Sequence, residues 1–291
     1  MQHIIAPQGK RLVWYLSMEE YLAQHISDRE ANLGNNTADT DSTPSLRGAG
    51  ESFFTWVVPP TVIFGRHQVM EDEVNMDYCR ANGVQMYRRK SGGGCVYSDA
   101  GNLMLSYITP DTHSEQVFQQ YLDRVSAALQ QLGFAAAKSE HNDVLIGDRK
   151  VSGNACYALP TGTIVHGTML FNVDFAALQQ AITPSREKLS KHGVQSVRQR
   201  VANLKDIQGL LDPDNATAQR AMADIHALSD YFIASFCASS RHLTGNHRYR
   251  CPRANLPGPR FHCGQVNKVY ILHNTPLCAI HAMGCLYFLS Q

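Results

Sequence analysis

The chain contains 291 residues and has a formal net charge of +1, with 26 basic against 25 acidic side chains. Apolar residues make up 44% of it and charged residues 18%, which excludes a disordered, collagen-like or coiled-coil protein and predicts a globular core. The balanced charge lacks the electrostatic footprint of a nucleic-acid-binding protein, so we expect no nucleic-acid partner.

Membrane and secretion signals are also missing from the sequence. No stretch approaches the ~18 consecutive apolar residues that a membrane-spanning helix needs. Residues 1–15 carry scattered polar and basic side chains instead of the apolar core of a secretory signal. The eight cysteines are too dilute for a disulfide framework and form no C-x-x-C pair. We therefore expect a cytoplasmic protein with reduced thiols and no membrane association.

The N-terminal part begins with a helix and continues with short β-rich runs. Ser17-Met18-Glu19-Glu20 has the form of a capping box, which predicts a helix that begins at Ser17 and ends before Arg29. Residues 28–52 are rich in Asn, Asp, Ser and Thr and predict a surface loop. Strands are then predicted at 53–58, 61–64, 84–89, 95–97 and 103–108, and a helix closed by Gly83 at 71–82.

The clearest helix spans 114–132, because apolar side chains recur every three or four residues from Phe118 to Leu132 and Gly133 follows as a stop. After it, strands are predicted at 144–146, 151–157 and 163–173, and helices at 175–182 and 216–236. Strands in neighbouring hairpins with helices inserted between them favour an α+β fold of mixed, largely antiparallel sheets with packed helices.

A glycine-rich segment follows the strand predicted at 84–89. In Arg89-Lys90-Ser91-Gly92-Gly93-Gly94, consecutive glycines let backbone N–H groups approach an anion, and arginine supplies charge-assisted donors for phosphate. The segment lacks the Gly-Lys-Ser/Thr of a P-loop and the spacing of a dinucleotide fingerprint. Taken alone, it fits a glycine-rich hairpin flanked by solvated arginines somewhat better than a phosphate site.

Two later segments place a lysine and a histidine in β-type runs. Lys150 opens a strand, where its stem can lie along apolar surface and its ammonium can neutralise a phosphate or carboxylate. A solvated turn position fits its spacing equally well. His166 lies within a run in which a lone histidine is more often a satisfied core residue than a catalyst. Sequence position alone decides neither case.

In this order the segments resemble the lipoate–protein ligase family, part of the biotin/lipoate ligase superfamily. The residues that carry the resemblance are 89–94, Ser98-Asp99-Ala100-Gly101-Asn102, Asn142-Asp143, Lys150-Val151-Ser152-Gly153-Asn154-Ala155, His166-Gly167-Thr168 and 196–204. The resemblance extends from about Trp14 to about Phe236 and implies the α+β catalytic domain of that family, which we expect to occupy residues 1–240.

The resemblance implies a two-step reaction. The carboxylate of lipoate or octanoate attacks the α-phosphorus of ATP to give an acyl-adenylate and pyrophosphate, and a lysine of an acceptor lipoyl domain then takes the acyl group. The family's acceptors are 2-oxoacid dehydrogenase E2 subunits and the glycine cleavage H protein, and Mg²⁺ is expected on the phosphates. Because the first step brings two anions together, the protein must supply position and positive charge.

The resemblance also assigns roles to individual residues. It implies that Lys150 is catalytic and bridges the substrate carboxylate and the α-phosphate. The ATP and phosphate contacts that it implies are Arg89, Ser91, Gly92, Gly93, Gly94, Asn142 and Asp143, with Asp143 also as a metal ligand. The lipoate contacts that it implies are Arg89, Gly93, Gly94, Lys150, His166 and Gly167.

The chain departs from the family pattern at two positions. Many members have a histidine where this chain has Val165 and another where it has Ser98. Because residue 165 is valine, this chain cannot use a catalytic histidine at that position, although His166 is present. Neither change affects Lys150.

Three other functions remain open. An ATP-independent octanoyl or lipoyl transferase would need a cysteine nucleophile, for which Cys95 and Cys156 are the candidates. A biotin ligase is disfavoured by the lipoate-type form of the glycine segment. A non-catalytic homologue would bind lipoyl domains or lipoate without turning them over.

The C-terminal part differs in composition from the rest. Residues 231–291 contain no Asp or Glu but five of the eight cysteines. We match residues 241–291 to no accessory domain of the family. Three interpretations are open: a Cys/His metal site, which the lack of closely paired cysteines disfavours, a basic segment that binds acidic acceptor domains, and a diverged, truncated or frame-shifted terminus.

Overall fold

A computed structural model describes residues 1–26, 50–182, 201–238 and 269–271. Its strands are β1 (Gln2–Ile5), β2 (Ser52–Trp56), β3 (Thr61–Phe64), β4 (Gln85–Arg88), β5 (Val96–Ser98), β6 (Asn102–Thr109), β7 (Ala136–Lys138), β8 (Asp143–Ile146), β9 (Arg149–Leu159), β10 (Gly162–Leu170) and β11 (Val269–Ile271). Its helices are α1 (Leu12–Gln24), α2 (Met70–Glu73), α3 (Met76–Ala81), α4 (Ser114–Leu132), α5 (Phe175–Ala181), α6 (Leu204–Ile207), α7 (Ala216–Ala221) and α8 (Ile225–Ala238).

Across these described ranges the strands form one eight-stranded sheet and one three-stranded sheet. The large sheet has the order β11-β1-β2-β6-β10-β9-β8-β7 and is antiparallel from β2 to β7, while β1 pairs in parallel with both of its neighbours. In the small sheet, β3 pairs in parallel with β4 and antiparallel with β5. This architecture confirms the predicted α+β class with largely antiparallel sheets and packed helices.

The large sheet is buried on both faces. Successive side chains of a strand point to opposite faces, so Phe53 packs with α4 and α8 whereas Phe54 packs with α1. The same alternation in β6 sends Leu105 to the α4 face and Met104 to the α1 face. Ile63 of the small sheet belongs to the same buried cluster as the α1 residues. Both α1 and the small sheet therefore pack against this face of the large sheet.

The prediction that the first helix begins at Ser17 is wrong, because α1 begins at Leu12. Arg11 occupies the N-cap without a capping hydrogen bond from its side chain, and Ser17 is buried within the helix. Burial of the apolar side chains of Leu12 and Leu16 against the sheet extends the helix beyond the capping-box signal. As a result, Glu19 lies in the protein interior instead of on a solvated first turn.

Two other predicted helices are each divided in two. The prediction at 71–82 is observed as α2 and α3, separated where the Asn75 side chain accepts a hydrogen bond from the backbone N–H of Tyr78. The prediction at 216–236 is observed as α7 and α8, and the Asp224 side chain accepts from the N–H groups of His226 and Ala227 at the start of α8. Asparagine and aspartate favour such N-caps, so local capping interrupts both apolar patterns.

Several predictions fall partly or wholly outside the described residues. Most of the loop predicted at 28–52 does, except that Ser52 belongs to β2. So does the segment at 241–291, except for β11, which pairs with β1 at the edge of the large sheet. Within the described ranges, no helix is long and apolar enough to cross a membrane.

We predict that Gly133→Ala lowers the free energy of unfolding by about 1–2 kcal/mol. Gly133 ends α4 as predicted and has a φ of 103°, a left-handed conformation that alanine adopts only with strain. The nearest atom to an added Cβ, Leu211 Cδ2, is 3.6 Å away, so the loss comes from the backbone and not from a clash. Urea unfolding followed by circular dichroism measures it.

Gly209→Ala is the matched control, since nothing lies within 4 Å of an added Cβ there and no positive φ is required. Its stability should stay within about 0.5 kcal/mol of wild type. Equal losses in the two variants would contradict the assignment of strain to Gly133.

Candidate active site

One cavity of about 270 Å³ lies where the small sheet faces the α1 side of the large sheet. Its walls come from α1, both sheets and the glycine-rich segment, and consist of Leu16, Trp56, Ile63, Arg89, Gly93, Gly94, Cys95, Val96, Met104, Asn142, Asp143, Lys150, Gly153, Asn154, Ala155, His166, Gly167 and Thr168. The wall thus combines apolar side chains, a lysine, an aspartate and exposed glycine backbone.

Most of the site residues that the family resemblance implies meet at this cavity. Those on its wall are Arg89, Gly93, Gly94, Asn142, Asp143, Lys150, His166 and Gly167. Ser91 and Gly92 are not on the wall: Ser91 is fully buried behind it, and Gly92 is exposed outside it. The structure therefore brings together residues that lie far apart in the chain but separates Ser91 and Gly92 from the cavity.

The Arg89 guanidinium is buried and bonded to the protein's own backbone. Nη1 donates to the carbonyl oxygen of Ile63 at 2.9 Å, and Nη2 donates to those of Gly92 and Gly94, both at 2.7 Å. Nε donates to Ser91 Oγ at 3.1 Å. Burial lowers the pKa of Arg89 to about 10, so it still carries its charge at neutral pH. Its donors are committed mainly to shaping the glycine-rich segment.

These bonds fix the direction of the glycine peptides. All described peptide bonds are trans, so each N–H points opposite to the carbonyl of its own peptide group. Because the Gly92 carbonyl points at Arg89, the N–H of Gly93 points away from it. Gly93 has a φ of 90°, and a Cβ at Gly65 would overlap its carbonyl oxygen. Glycine at both positions therefore permits this close, left-handed turn.

Lys150 lies at the start of β9, beside a register shift between Val144 and Leu145 in the neighbouring strand. Its Nζ is 2.7 Å from Asp143 Oδ1, and both side chains are about one-third exposed, at 33% and 27%. A Cβ on Gly153 would come within 2.6 Å of Nζ, so the absence of a side chain there leaves room for the ammonium. The ion pair and this gap hold the lysine head group at the cavity wall.

Behind Lys150, two asparagines lock β9 to the turn before β8. Asn142 Nδ2 donates to the carbonyl oxygen of Asn154 at 2.9 Å, and Asn154 Nδ2 donates to that of Asn142 at 3.0 Å. The Asn154 amide occupies the space that a Cβ at Gly167 would fill. The amide nitrogen of Asn142 thus donates to the protein's own backbone, which gives this side chain a role in shaping the wall.

A chain of buried polar groups runs beneath the cavity from β2 to the glycine-rich segment. Trp56 Nε1 donates to Ser106 Oγ at 2.8 Å, and Ser106 Oγ donates to Glu19 Oε1 at 2.5 Å. The other oxygen, Glu19 Oε2, lies 3.0 Å from His166 Nδ1, and His166 Nε2 lies 2.6 Å from Ser91 Oγ. The histidine is therefore bonded through both ring nitrogens.

Sequence reasoning missed Glu19 and the apolar wall. The capping-box interpretation placed Glu19 on a first turn, although a helix that starts earlier puts it on the same face as Leu12, Leu16 and Ala23. That periodicity is the signal that would have identified Glu19 as buried. For Trp56 and Met104, nothing in the local pattern distinguishes a cavity wall from ordinary core.

The two cysteines considered as nucleophiles lie in different places. Cys95 is on the cavity wall, whereas Cys156 packs against the core on the α4 side of the large sheet. Burial raises the pKa of Cys156, which disfavours the reactive thiolate. Cys156 therefore has neither the position nor the ionisation that a nucleophile at this cavity needs.

The catalytic-domain model of the lipoyl protein ligase A/B family matches residues 13–227, and the chain belongs to this family. Lipoate–protein ligase 1 of Staphylococcus aureus is 39% identical over 191 residues, which are 65% of this chain and 56% of that protein. Lipoate–protein ligase LplJ of Bacillus subtilis is 33% identical over 66% of this chain and 52% of its own length. The chain spans about half the length of the curated relatives that it matches.

Solved structures share the fold. Lipoate–protein ligase A bound with ATP has a TM-score of 0.60 at 23% identity, over 82% of this chain and 84% of that one. P. falciparum LipL1 in complex with lipoate has a TM-score of 0.57 at 23% identity, over 84% and 64%. A bipartite lipoate protein ligase from Thermoplasma acidophilum, studied with its E2 lipoyl domain, has a TM-score of 0.57 at 25% identity, over 82% of each chain.

We predict that Arg89→Lys lowers the free energy of unfolding by about 3 kcal/mol. A single ammonium cannot span the three carbonyls and the hydroxyl that the guanidinium reaches, so buried acceptors lose their donors. Arg149→Lys, at the exposed first residue of β9, is the control and should change stability by less than about 0.5 kcal/mol. A loss at Arg89 no larger than at Arg149 in urea unfolding would disprove its structural role.

Proposed function

We propose that this chain is an ATP-dependent lipoate–protein ligase, which activates lipoate or octanoate as the acyl-adenylate and transfers the acyl group to a lysine of an acceptor lipoyl domain. The observation that carries the proposal is the cavity, in which the Lys150 ammonium, outward-facing glycine backbone and an apolar wall meet. Family membership supports the same activity, since the relatives in Staphylococcus aureus and Bacillus subtilis are named lipoate–protein ligases.

Lys150 is the catalytic residue of this proposal. An ammonium has three donors, and the ion pair with Asp143 engages one side of it, which leaves donors for the substrate carboxylate and the α-phosphate. Bridging the two anions offsets their repulsion and brings the attacking oxygen to the phosphorus. Asp143 and the gap at Gly153 keep the ammonium at the cavity wall before substrates arrive.

The phosphates bind to backbone in this proposal. Among the described residues, the N–H of Gly93 has no hydrogen-bond acceptor, and it points away from the buried guanidinium. Such N–H groups are suited to anions because no side chain blocks their approach. Arg89 acts on the phosphates mainly through the glycine peptides that it orients, with its positive charge behind them.

The acyl chain lies against the apolar wall. Leu16, Trp56, Ile63, Val96 and Met104 supply a surface suited to a C8 chain and dithiolane. His166 and Gly167 border the same space. The carboxylate end then faces Lys150, which orients the acid for attack.

Magnesium is the ion that this chemistry implies. Within the ranges that the structure describes, no group of three or more His, Cys, Asp or Glu side chains is arranged to hold a metal. Mg²⁺ at nucleotide sites is commonly bound by one or two carboxylates together with substrate phosphates, and Asp143 on the cavity wall meets this requirement. When bound, the ion neutralises phosphate charge.

The acceptor and the domain boundary belong to the same proposal. Structural likeness to a ligase that was studied with its E2 lipoyl domain supports a lipoyl-domain acceptor. From the family resemblance, we expect this domain to belong to a 2-oxoacid dehydrogenase E2 subunit or to be the glycine cleavage H protein. We assign residues 1–240 to the catalytic domain. Since the relatives extend to about twice the matched length, the transfer step needs its own test beside adenylate formation.

The direct test of adenylate formation is exchange of radiolabelled pyrophosphate into ATP with Mg²⁺ present. We predict exchange that depends on lipoate or octanoate and is absent with biotin. No exchange by folded protein with either acid would overturn the ligase assignment. Mass gain of a lipoyl domain incubated with the same mixture then tests the transfer step separately.

We predict that Lys150→Ala reduces this exchange by at least about 10³-fold while the thermal midpoint stays near wild type. Lys150→Arg should recover only a small part, because a planar fork cannot replace a compact ammonium between two anions. Arg149→Ala, one residue away and exposed, is the control for loss of positive charge and should retain exchange. Near-normal exchange by Lys150→Ala would show that another group bridges the substrates.

A cysteine-dependent transferase is the second candidate, favoured only by the position of Cys95 on the cavity wall. It predicts acyl transfer from an octanoyl thioester to a lipoyl domain without ATP. We expect no such transfer by the wild-type chain. Transfer that is lost in Cys95→Ala would favour the transferase.

A further inference from the structure

Glu19 supplies the carboxylate in the series of buried, hydrogen-bonded groups that runs from Trp56 to Arg89. It is 0% exposed, comes from α1, and is bonded on one side to Ser106 and on the other to His166. An ionised carboxylate only accepts hydrogen bonds, so the hydrogens on both sides must point toward it.

The groups at the two ends of this hydrogen-bonded series determine where the hydroxyl hydrogens of Ser106 and Ser91 are available. On one end, Trp56 Nε1 donates to Ser106 Oγ, so the single hydroxyl hydrogen of Ser106 is available for Glu19 Oε1. On the other end, Arg89 Nε donates to Ser91 Oγ, so the single hydroxyl hydrogen of Ser91 is available for His166 Nε2. Both terminal groups, an indole and a guanidinium, are donors only.

The Ser91 oxygen has two lone pairs, so it can accept from both Arg89 and a protonated Nε2 of His166. With Glu19 ionised, only one arrangement also gives the Ser91 hydroxyl hydrogen an acceptor among the described residues. In that arrangement Ser91 donates its hydrogen to Nε2 of His166, so that nitrogen is an acceptor, and the ring hydrogen sits on Nδ1 and is donated to Glu19 Oε2. The imidazole is then neutral, with a defined tautomer. Protonating Nε2 instead would turn the Ser91 hydrogen away from the 2.6 Å contact and leave it without this partner.

We propose that Glu19 is a positioning residue for the proposed ligase reaction: it holds His166 as the Nδ1–H tautomer, and His166 in turn orients Ser91 beneath Arg89 and the glycine-rich segment. The effect on rate rests on the proposed function, whereas the tautomer does not. Under this assignment Ser91 supports the segment and does not donate to phosphate, because its hydrogen is already used.

The same arrangement connects the acyl and phosphate ends of the cavity. Glu19 is bonded through Ser106 to Trp56, which lies on the apolar wall, and through His166 and Ser91 to Arg89, which orients the glycine peptides. Removing the charge of Glu19 therefore disturbs both ends, although Glu19 itself is not on the cavity wall. Buried supporting groups of this kind hold reacting groups in place.

The tautomer is tested by ¹⁵N NMR of histidine-labelled protein, with the His166 signals identified by their loss in His166→Gln. We expect wild-type His166 to show a protonated Nδ1 and an unprotonated Nε2 at neutral pH. In Glu19→Gln this pattern should change, because the amide offers only one acceptor to two donors. A wild-type ring protonated at Nε2, or a pattern unchanged in Glu19→Gln, would overturn the proposal.

The kinetic test compares Glu19→Gln with Glu20→Gln in lipoate-dependent pyrophosphate exchange. Glu20 is the matched control, since it is adjacent on α1, equally buried and bonded to Lys90 and Tyr157 instead of to His166. We expect Glu19→Gln to lose about 10–100-fold in kcat/KM, by analogy with other groups that orient a histidine. Glu20→Gln should stay within about threefold of wild type.

The outcomes separate the two claims. Absence of exchange in the wild type, with the expected tautomer, contradicts the proposed function only. Wild-type exchange in Glu19→Gln, or an equal loss in both variants, contradicts the positioning role. If Glu19→Gln does not fold, Ser91→Ala takes its place: removing the hydroxyl should give a loss of the same size and release Nε2, and wild-type exchange would overturn the proposal.

Discussion

A buried guanidinium without a carboxylate partner among the described residues sets the shape of this site. Taking such a charge out of water is costly unless its donors are satisfied, and Arg89 satisfies them on the backbone of its own loop and of β3. Because the acceptors are peptide carbonyls, the opposite sides of those peptides present N–H groups. In the proposed function, this arrangement supplies the anion-binding surface together with positive charge behind it.

The N-terminal helix α1 is also connected to Arg89 through hydrogen bonds. Through Glu19 it reaches His166 on β10, and through His166 it reaches Ser91 beside Arg89. Lys150 approaches from the other side, on a strand whose start is shaped by the register shift and by two interlocked asparagines. Helix, sheet and loop therefore meet at one point, and a change in any of them alters where a bound anion is held.

Local patterns predicted the parts of the fold that local forces determine. The helix at 114–132 and its glycine stop follow from apolar periodicity and a left-handed C-cap, and both were found as predicted. The predicted start of α1 was wrong because burial of its first turns against the sheet outweighed the capping motif at Ser17. The prediction that Lys150, His166 and Arg89 share one site came from family resemblance, because sequence spacing alone does not show which strands lie together in the fold. Whether an arginine beside glycines faces a ligand or its own backbone is decided only by packing.

The most direct test is a crystal structure of the chain with Mg²⁺ and a non-hydrolysable analogue of lipoyl-adenylate. We predict that the phosphate lies between Lys150 Nζ and the N–H of Gly93 and that the acyl chain lies along Trp56 and Met104. Arg89 should still be bonded to the carbonyls of Gly92 and Gly94. A structure in which Arg89 leaves those carbonyls to bind the phosphate, or in which Lys150 remains on Asp143 away from the analogue, would contradict this prediction.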